Sequence, residues 1–177
     1  AEQEKFENAE AAFKQAIAID ASYMLPLLHL GSLYFQQGRV SDALPLLSQA
    51  VQLAPDNFTA NLQSGRALQA AGRDAEALSA LRRTVEIDKQ SIDAAYMLAL
   101  ALQNAGNIVE ALPLFRQTAT ARPRDAAVLT NLGLALVQSG KAKEAIPIYQ
   151  QALAQAPADP VLRQDMGVAY LQQSGLD

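Results

Sequence analysis

The sequence predicts an all-α fold, an α-solenoid of antiparallel helix pairs with a 34-residue period. Three observations carry this. The stretch 92–125, IDAAYMLALALQNAGNIVEALPLFRQTATARPRD, matches the chain on either side when shifted by 34 residues, without an insertion. A glycine recurs as Gly38, Gly72, Gly106 and Gly140, and five residues after each comes Ala43, Ala77, Ala111 or Ala145, with Ala9 one step earlier. Between these breaks the apolar residues recur at helical spacing. A fixed period of 20–50 residues marks a repeat architecture, in which each unit buries its apolar face against its neighbours.

Taken in order, residues 1–20 read as one helix, with Phe6, Ala9, Phe13, Ala16 and Ile17 on a single apolar stripe. This segment matches only the second half of the unit. The next helix is expected over 24–37, with Pro26 tolerated near its start, where the amides lack intrahelical partners. Gly38 breaks it, and Ser41 or Asp42 is expected to cap the helix running to about Leu53. Pro55 and Asp56 close the unit. Helices follow at about 58–71, 75–87, 92–105, 109–121, 126–139, 143–155 and 160–173. Pro45, Pro113 and Pro147 sit at or just past the first turn of second helices and read as helix starts. The short loops favour antiparallel neighbours. The whole chain, 1–177, therefore reads as a single array: a half repeat 1–23, full repeats 24–57, 58–91, 92–125 and 126–159, and a half repeat 160–177.

Two columns of small residues explain the expected packing. Gly31, Gly65, Ala99, Gly133 and Gly167 share one phase of the first helices, and the alanines from Ala9 to Ala145 share one phase of the second. Residues without bulk let two helix backbones approach closely. Beside them Tyr34, Leu68, Leu102, Leu136 and Tyr170, and Phe13, Leu47, Leu81, Phe115 and Tyr149, fill the gaps as core.

These columns resemble the tetratricopeptide repeat family, whose 34-residue unit is a helix–turn–helix with small and aromatic residues at set places. The resemblance covers nearly the whole chain. It departs from the family where an early aromatic is often found, here Leu27, Asn61, Ala95, Leu129 and Arg163, and where the closing proline is replaced by Ala21 and Lys89. The resemblance implies a right-handed superhelix whose concave groove, lined by first helices, binds peptides or protein surfaces. Two known variants of that groove do not match. The chaperone-carboxylate clamp of related co-chaperones uses several basic residues, whereas Arg66 is the one clear groove cation here. The asparagine ladder of O-linked N-acetylglucosamine transferases would fall on His29, Gln63, Met97, Asn131 and Asp165, where only Asn131 fits.

Composition excludes several function classes. A net charge of -4 and a pI near 5.0 argue against nucleic acid as partner, which calls for a basic patch. There is no cysteine, hence no disulfide framework and no thiolate chemistry. The longest apolar run, 94–102, is too short to insert in a membrane, which takes roughly 20 residues. The opening AEQEKFENAE lacks the apolar region of a signal peptide, and the start at Ala1 without methionine fits either a processed form or an excised piece. His29 is the single histidine, and its spacing to Ser32 offers no triad. No metal motif is present, and the recurring glycines read as helix ends or crossings rather than as a phosphate-binding loop. Arg82-Arg83 and Arg122/Arg124 read as solvated faces. No enzyme, no metal and no cofactor is expected.

What remains is the outer side of the first helices. It carries Leu28, Phe35, Tyr96, Met97, Leu100, Leu134, Val137, Val168 and Leu171, interleaved with His29, Gln63, Arg66, Gln69, Gln103, Asn104, Asn131 and Gln138. A contiguous apolar patch rimmed by polar groups marks an interaction site. The expected function is a non-catalytic scaffold that binds a protein or peptide segment there. Two alternatives stand beside it. One is self-assembly into a homo-oligomer, through the 1–20 helix or the 160–173 helix of half units that have no polar cap. The other is the targeting region of a larger enzyme such as a glycosyltransferase.

Overall fold

The computed structural model describes residues 2–175, with side chains from residue 4 onward. Ala1, Leu176 and Asp177, which the expected half repeats include, lie outside the described residues. Among the described residues there are ten α-helices and no strand: an all-α helical-repeat solenoid. The chain divides into two compact units, Ala1–Lys89 and Gln90–Asp177. The first holds α1 (Glu2–Ile19), α2 (Met24–Gln36), α3 (Val40–Leu53), α4 (Phe58–Ala70) and α5 (Asp74–Ile87). The second holds α6 (Ile92–Asn104), α7 (Ile108–Ala121), α8 (Ala126–Gln138), α9 (Ala142–Gln155) and α10 (Pro160–Ser174).

Glycine sets the turn inside each pair. Gly38, Gly72, Gly106 and Gly140 have φ between 71° and 77°, a left-handed backbone that other residues adopt at a cost. That geometry lets the next residue's N–H reach back across the helix end. Arg39, Arg73, Asn107 and Lys141 donate to the carbonyls of Tyr34, Leu68, Leu102 and Leu136 at 2.8–2.9 Å. This is the six-to-one bond of a Schellman ending, and it uses the N–H of the residue that becomes the next helix's N-cap.

The cap expected from Ser41 or Asp42 is not formed. α3 begins at Val40 with Arg39 as its N-cap and no side-chain cap bond, so Ser41 and Asp42 lie within the first turn. Asp42 instead pairs with Arg39 at 2.8 Å. A carboxylate there still complements the helix dipole. Real caps occur at first helices, where Asn57, Ser91, Asp125 and Asp159 each accept backbone N–H bonds. The prolines also sit deeper than helix starts. Pro45, Pro113 and Pro147 lie inside their helices, each at the sixth residue, and forgo the bond their missing N–H would make one turn back.

Each unit has its own core. In the first, Leu27, Leu30, Leu33, Tyr34, Leu47 and Ala50 are buried against partly buried Phe6, Phe13 and Ile17 of α1. Asn61, in a column where the family often has an aromatic, is also buried; its amide donates to the carbonyls of Pro55 at 2.8 Å and Asn57 at 2.9 Å. A buried amide so satisfied incurs little of the desolvation cost of an orphan. At the edge of this unit the Tyr34 hydroxyl donates to Glu10 at 2.9 Å, and the Arg39 guanidinium lies 3.9 Å over the Tyr34 ring. Lys14 and then Tyr34 hold the Glu10 carboxyl below its usual value.

In both units the bulky second-helix residue packs directly over the small first-helix residue sixteen positions earlier. A methyl on Gly31 would lie 2.8 Å from Leu47, one on Gly65 2.8 Å from Leu81, and one on Gly133 2.5 Å from Tyr149. Ala99 and Phe115 hold the equivalent positions of their repeat, and both are fully buried. Tyr149 is fully buried too, but its hydroxyl has no hydrogen-bond partner among the described residues.

That orphan hydroxyl makes Tyr149→Phe a stabilising change, by about 1 kcal/mol, because an unpaired buried polar group carries an uncompensated desolvation cost. The pH dependence follows the same group. Burial first, and the Asp165 charge second, raise the Tyr149 pKa well above the ordinary tyrosine value. The unfolded chain therefore releases this proton before the folded one does. Stability from this source is complete below the ordinary tyrosine pKa, about 10, and is lost as pH climbs toward the raised value. Urea midpoints measured across that range should fall for the parent and fall less for Tyr149→Phe.

Candidate functional site

The outward residues of the first helices fall into two separate sets, one per unit. In the first unit they come from α2 and α4. His29 is exposed and its ring stacks on Phe13 with centroids 5.6 Å apart. Phe35 is half-buried beneath the exposed Arg66 guanidinium, 5.4 Å from its ring centre. Gln63 and Gln69 are half-buried on the same helix as Arg66. Leu28 offers almost no surface: it is 4% exposed and belongs to the core around α1 to α4. Leu25, one turn earlier on α2 and not singled out in the sequence, is 41% exposed.

In the second unit the set comes from α6, α8 and α10. Tyr96, Met97, Leu100 and Gln103 of α6 are half-buried, as are Asn131 and Leu134 of α8. Two polar bridges tie these helices together. The Asn131 amide donates to the Tyr96 hydroxyl at 2.7 Å, and the Gln103 amide donates to Gln138 at 2.8 Å. Burial raises the Tyr96 pKa, and the Asn131 bond opposes that rise. Val137, expected on this side, is 7% exposed and faces the core. On α10, Val168 and Leu171 are open at 41% and 53%, and Val161, outside the expected set, is open at 60%.

The His29 ring stacks on Phe13, and among the described residues no three metal-ligating side chains converge. No helix among the described residues is long and apolar enough to cross a membrane.

Two family models, both described as tetratricopeptide repeat, match residues 35–102 and 96–160. The chain belongs to the tetratricopeptide repeat family. No curated protein matches the sequence. Among solved structures, YrrB, described as a TPR protein with an unusual peptide-binding site, is 21% identical with a TM-score of 0.84, covering 92% of this chain and 84% of its own. A MamA structure is 26% identical with a TM-score of 0.80, covering 88% of this chain and 91% of its own. MamA from Desulfovibrio magneticus RS-1 is 20% identical with a TM-score of 0.79, covering 85% of each chain. The tetratricopeptide fold is that of a protein-interaction scaffold, and the family is typically non-catalytic.

Proposed function

We propose that this tetratricopeptide chain is a non-catalytic scaffold that binds a protein or peptide segment on the outward faces of its first helices. The observation that carries the reading is the mixed surface of the second unit. Half-buried Met97, Leu100 and Leu134 lie beside Gln103, Asn131 and Gln138, so apolar contact and amide hydrogen bonds are offered together. Helices that met only water would carry polar residues there. The peptide-binding site for which YrrB is described is in keeping with this reading. Charged side chains are few on the first helices of both units, so long-range steering is weak and added salt weakens binding only modestly.

Affinity capture with the parent chain and with a Met97→Glu/Leu100→Glu variant tests it. The two carboxylates place unpaired charge where the partner must desolvate the surface, so the variant is expected to lose the partners while keeping its helical circular dichroism. Recovery of the same partners with both baits would refute the assignment.

A second reading, self-association, draws on one observation. A methyl on Gly167 would meet no atom within 4 Å beyond its chain neighbours and its own helix backbone, and Tyr170 is 44% exposed although Tyr34 in the same column is 5% exposed. Such an uncovered repeat face is stackable. Light scattering across a range of protein concentrations should then show a rising mass, and a constant monomer mass would rule it out.

A further inference from the structure

We propose that the second unit's first-helix face selects an apolar segment carrying a lysine or arginine, whose cation seats against Asp165. The inference rests on the first-helix reading above and names the partner chemistry for that face. Val161, Asp165, Val168 and Leu171 are spaced so that one side of α10 carries all four, and the three apolar members are open to solvent. The carboxylate is thus embedded in an exposed apolar stripe.

The charges around it leave one vacancy. The first helices of this unit, α6, α8 and α10, carry three charged residues: Asp93, Arg163 and Asp165. Asp93 is held by Arg122 at 2.5 Å, and Arg163 donates to the Pro157 carbonyl at 2.5 Å. Asp165 has no ion-pair partner among the described residues. The Tyr149 hydroxyl, buried and near enough to feel its charge, makes no hydrogen bond to it. Burial first and Asp159 second push the Asp165 carboxyl up, as expected of an acid that lacks a cation. An incoming ammonium or guanidinium would supply that cation while its stem lies along the valines. The first helices of the other unit, α2 and α4, show the reverse, with Arg66 and His29 and no carboxylate.

A phage library of random dodecapeptides, panned on the parent chain, on Asp165→Asn and on Leu100→Glu, tests this. Asp74→Asn, which makes the same change in net charge elsewhere, is the control, and circular dichroism checks each fold. Peptides enriched by the parent and by Asp74→Asn should carry a basic residue among apolar ones. Asp165→Asn should retain apolar binders without the basic preference. For a synthetic copy of an enriched peptide, replacing its cation with methionine should weaken binding to the parent about tenfold and leave binding to Asp165→Asn unchanged. Enrichment with no basic bias, or the same bias on Asp165→Asn, would overturn the role of Asp165 while leaving the first-helix face intact. Enrichment indifferent to Leu100→Glu, or no enrichment on any bait, would overturn both.

Discussion

Phe115→Ala is expected to lower the unfolding free energy by about 3–5 kcal/mol, the range for truncating a buried aromatic. Phe115 is fully buried, stands in the bulky column with Leu47, Leu81 and Tyr149, and meets the Tyr96 ring edge-on with centroids 6.2 Å apart. Its removal leaves a cavity bounded by rigid helices, so collapse can recover little. In a repeat fold the loss is felt through nearest neighbours, and Tyr96 is a member of the candidate binding face. A urea titration gives the magnitude. A midpoint within error of the parent's would mean that the columns are not the core.

Alanine at Gly133 and alanine at Gly167 are expected to act with opposite sign. Both glycines occupy the same column of a first helix, and in both the change gains about 0.8–1.0 kcal/mol of helix propensity. At Gly167 nothing within 4 Å opposes the added methyl. At Gly133 the methyl would lie 2.5 Å from Cε1 of Tyr149, a fully buried ring with no room to withdraw. Overpacking of this kind costs roughly 1–3 kcal/mol and outweighs the propensity gain. Gly167→Ala should melt above the parent and Gly133→Ala below it. Equal shifts would show that close approach is not what keeps Gly133 small. Ala99, fully buried in the same column, shows that the seam admits a methyl where its neighbours are arranged for one.

The fold was legible because its determinants are local and repeated. Gly38, Gly72, Gly106 and Gly140 mark helix ends by backbone conformation alone, and each recurrence tests the others. The small and bulky columns were legible for the same reason. That Leu47 or Tyr149 lies directly on the glycine sixteen residues earlier needed the crossing geometry itself. Misreadings came where a long-range or backbone bond took precedence over a local preference. Ser41 and Asp42 look like caps, yet the six-to-one bond from Arg39 to Tyr34 fixes the helix start ahead of them. Leu28 shares a helix face with His29 and Phe35 in the sequence pattern, but it sits within the first unit's core. The pairings of Asn131 with Tyr96 and of Gln103 with Gln138 join residues 35 apart, one more than the period, so no column contains them. Asp165 stood in a legible column, but its lack of a counter-charge is a property of everything around it.

The most direct test of the account is a photo-cross-linking comparison within the second unit. A benzophenone amino acid is placed either at Leu100, on first helix α6, or at Gln117, exposed on second helix α7. If the first helices form the binding face, partner adducts arise from Leu100 and none from Gln117. Adducts from Gln117 with none from Leu100 would move the binding surface to the second helices and contradict it.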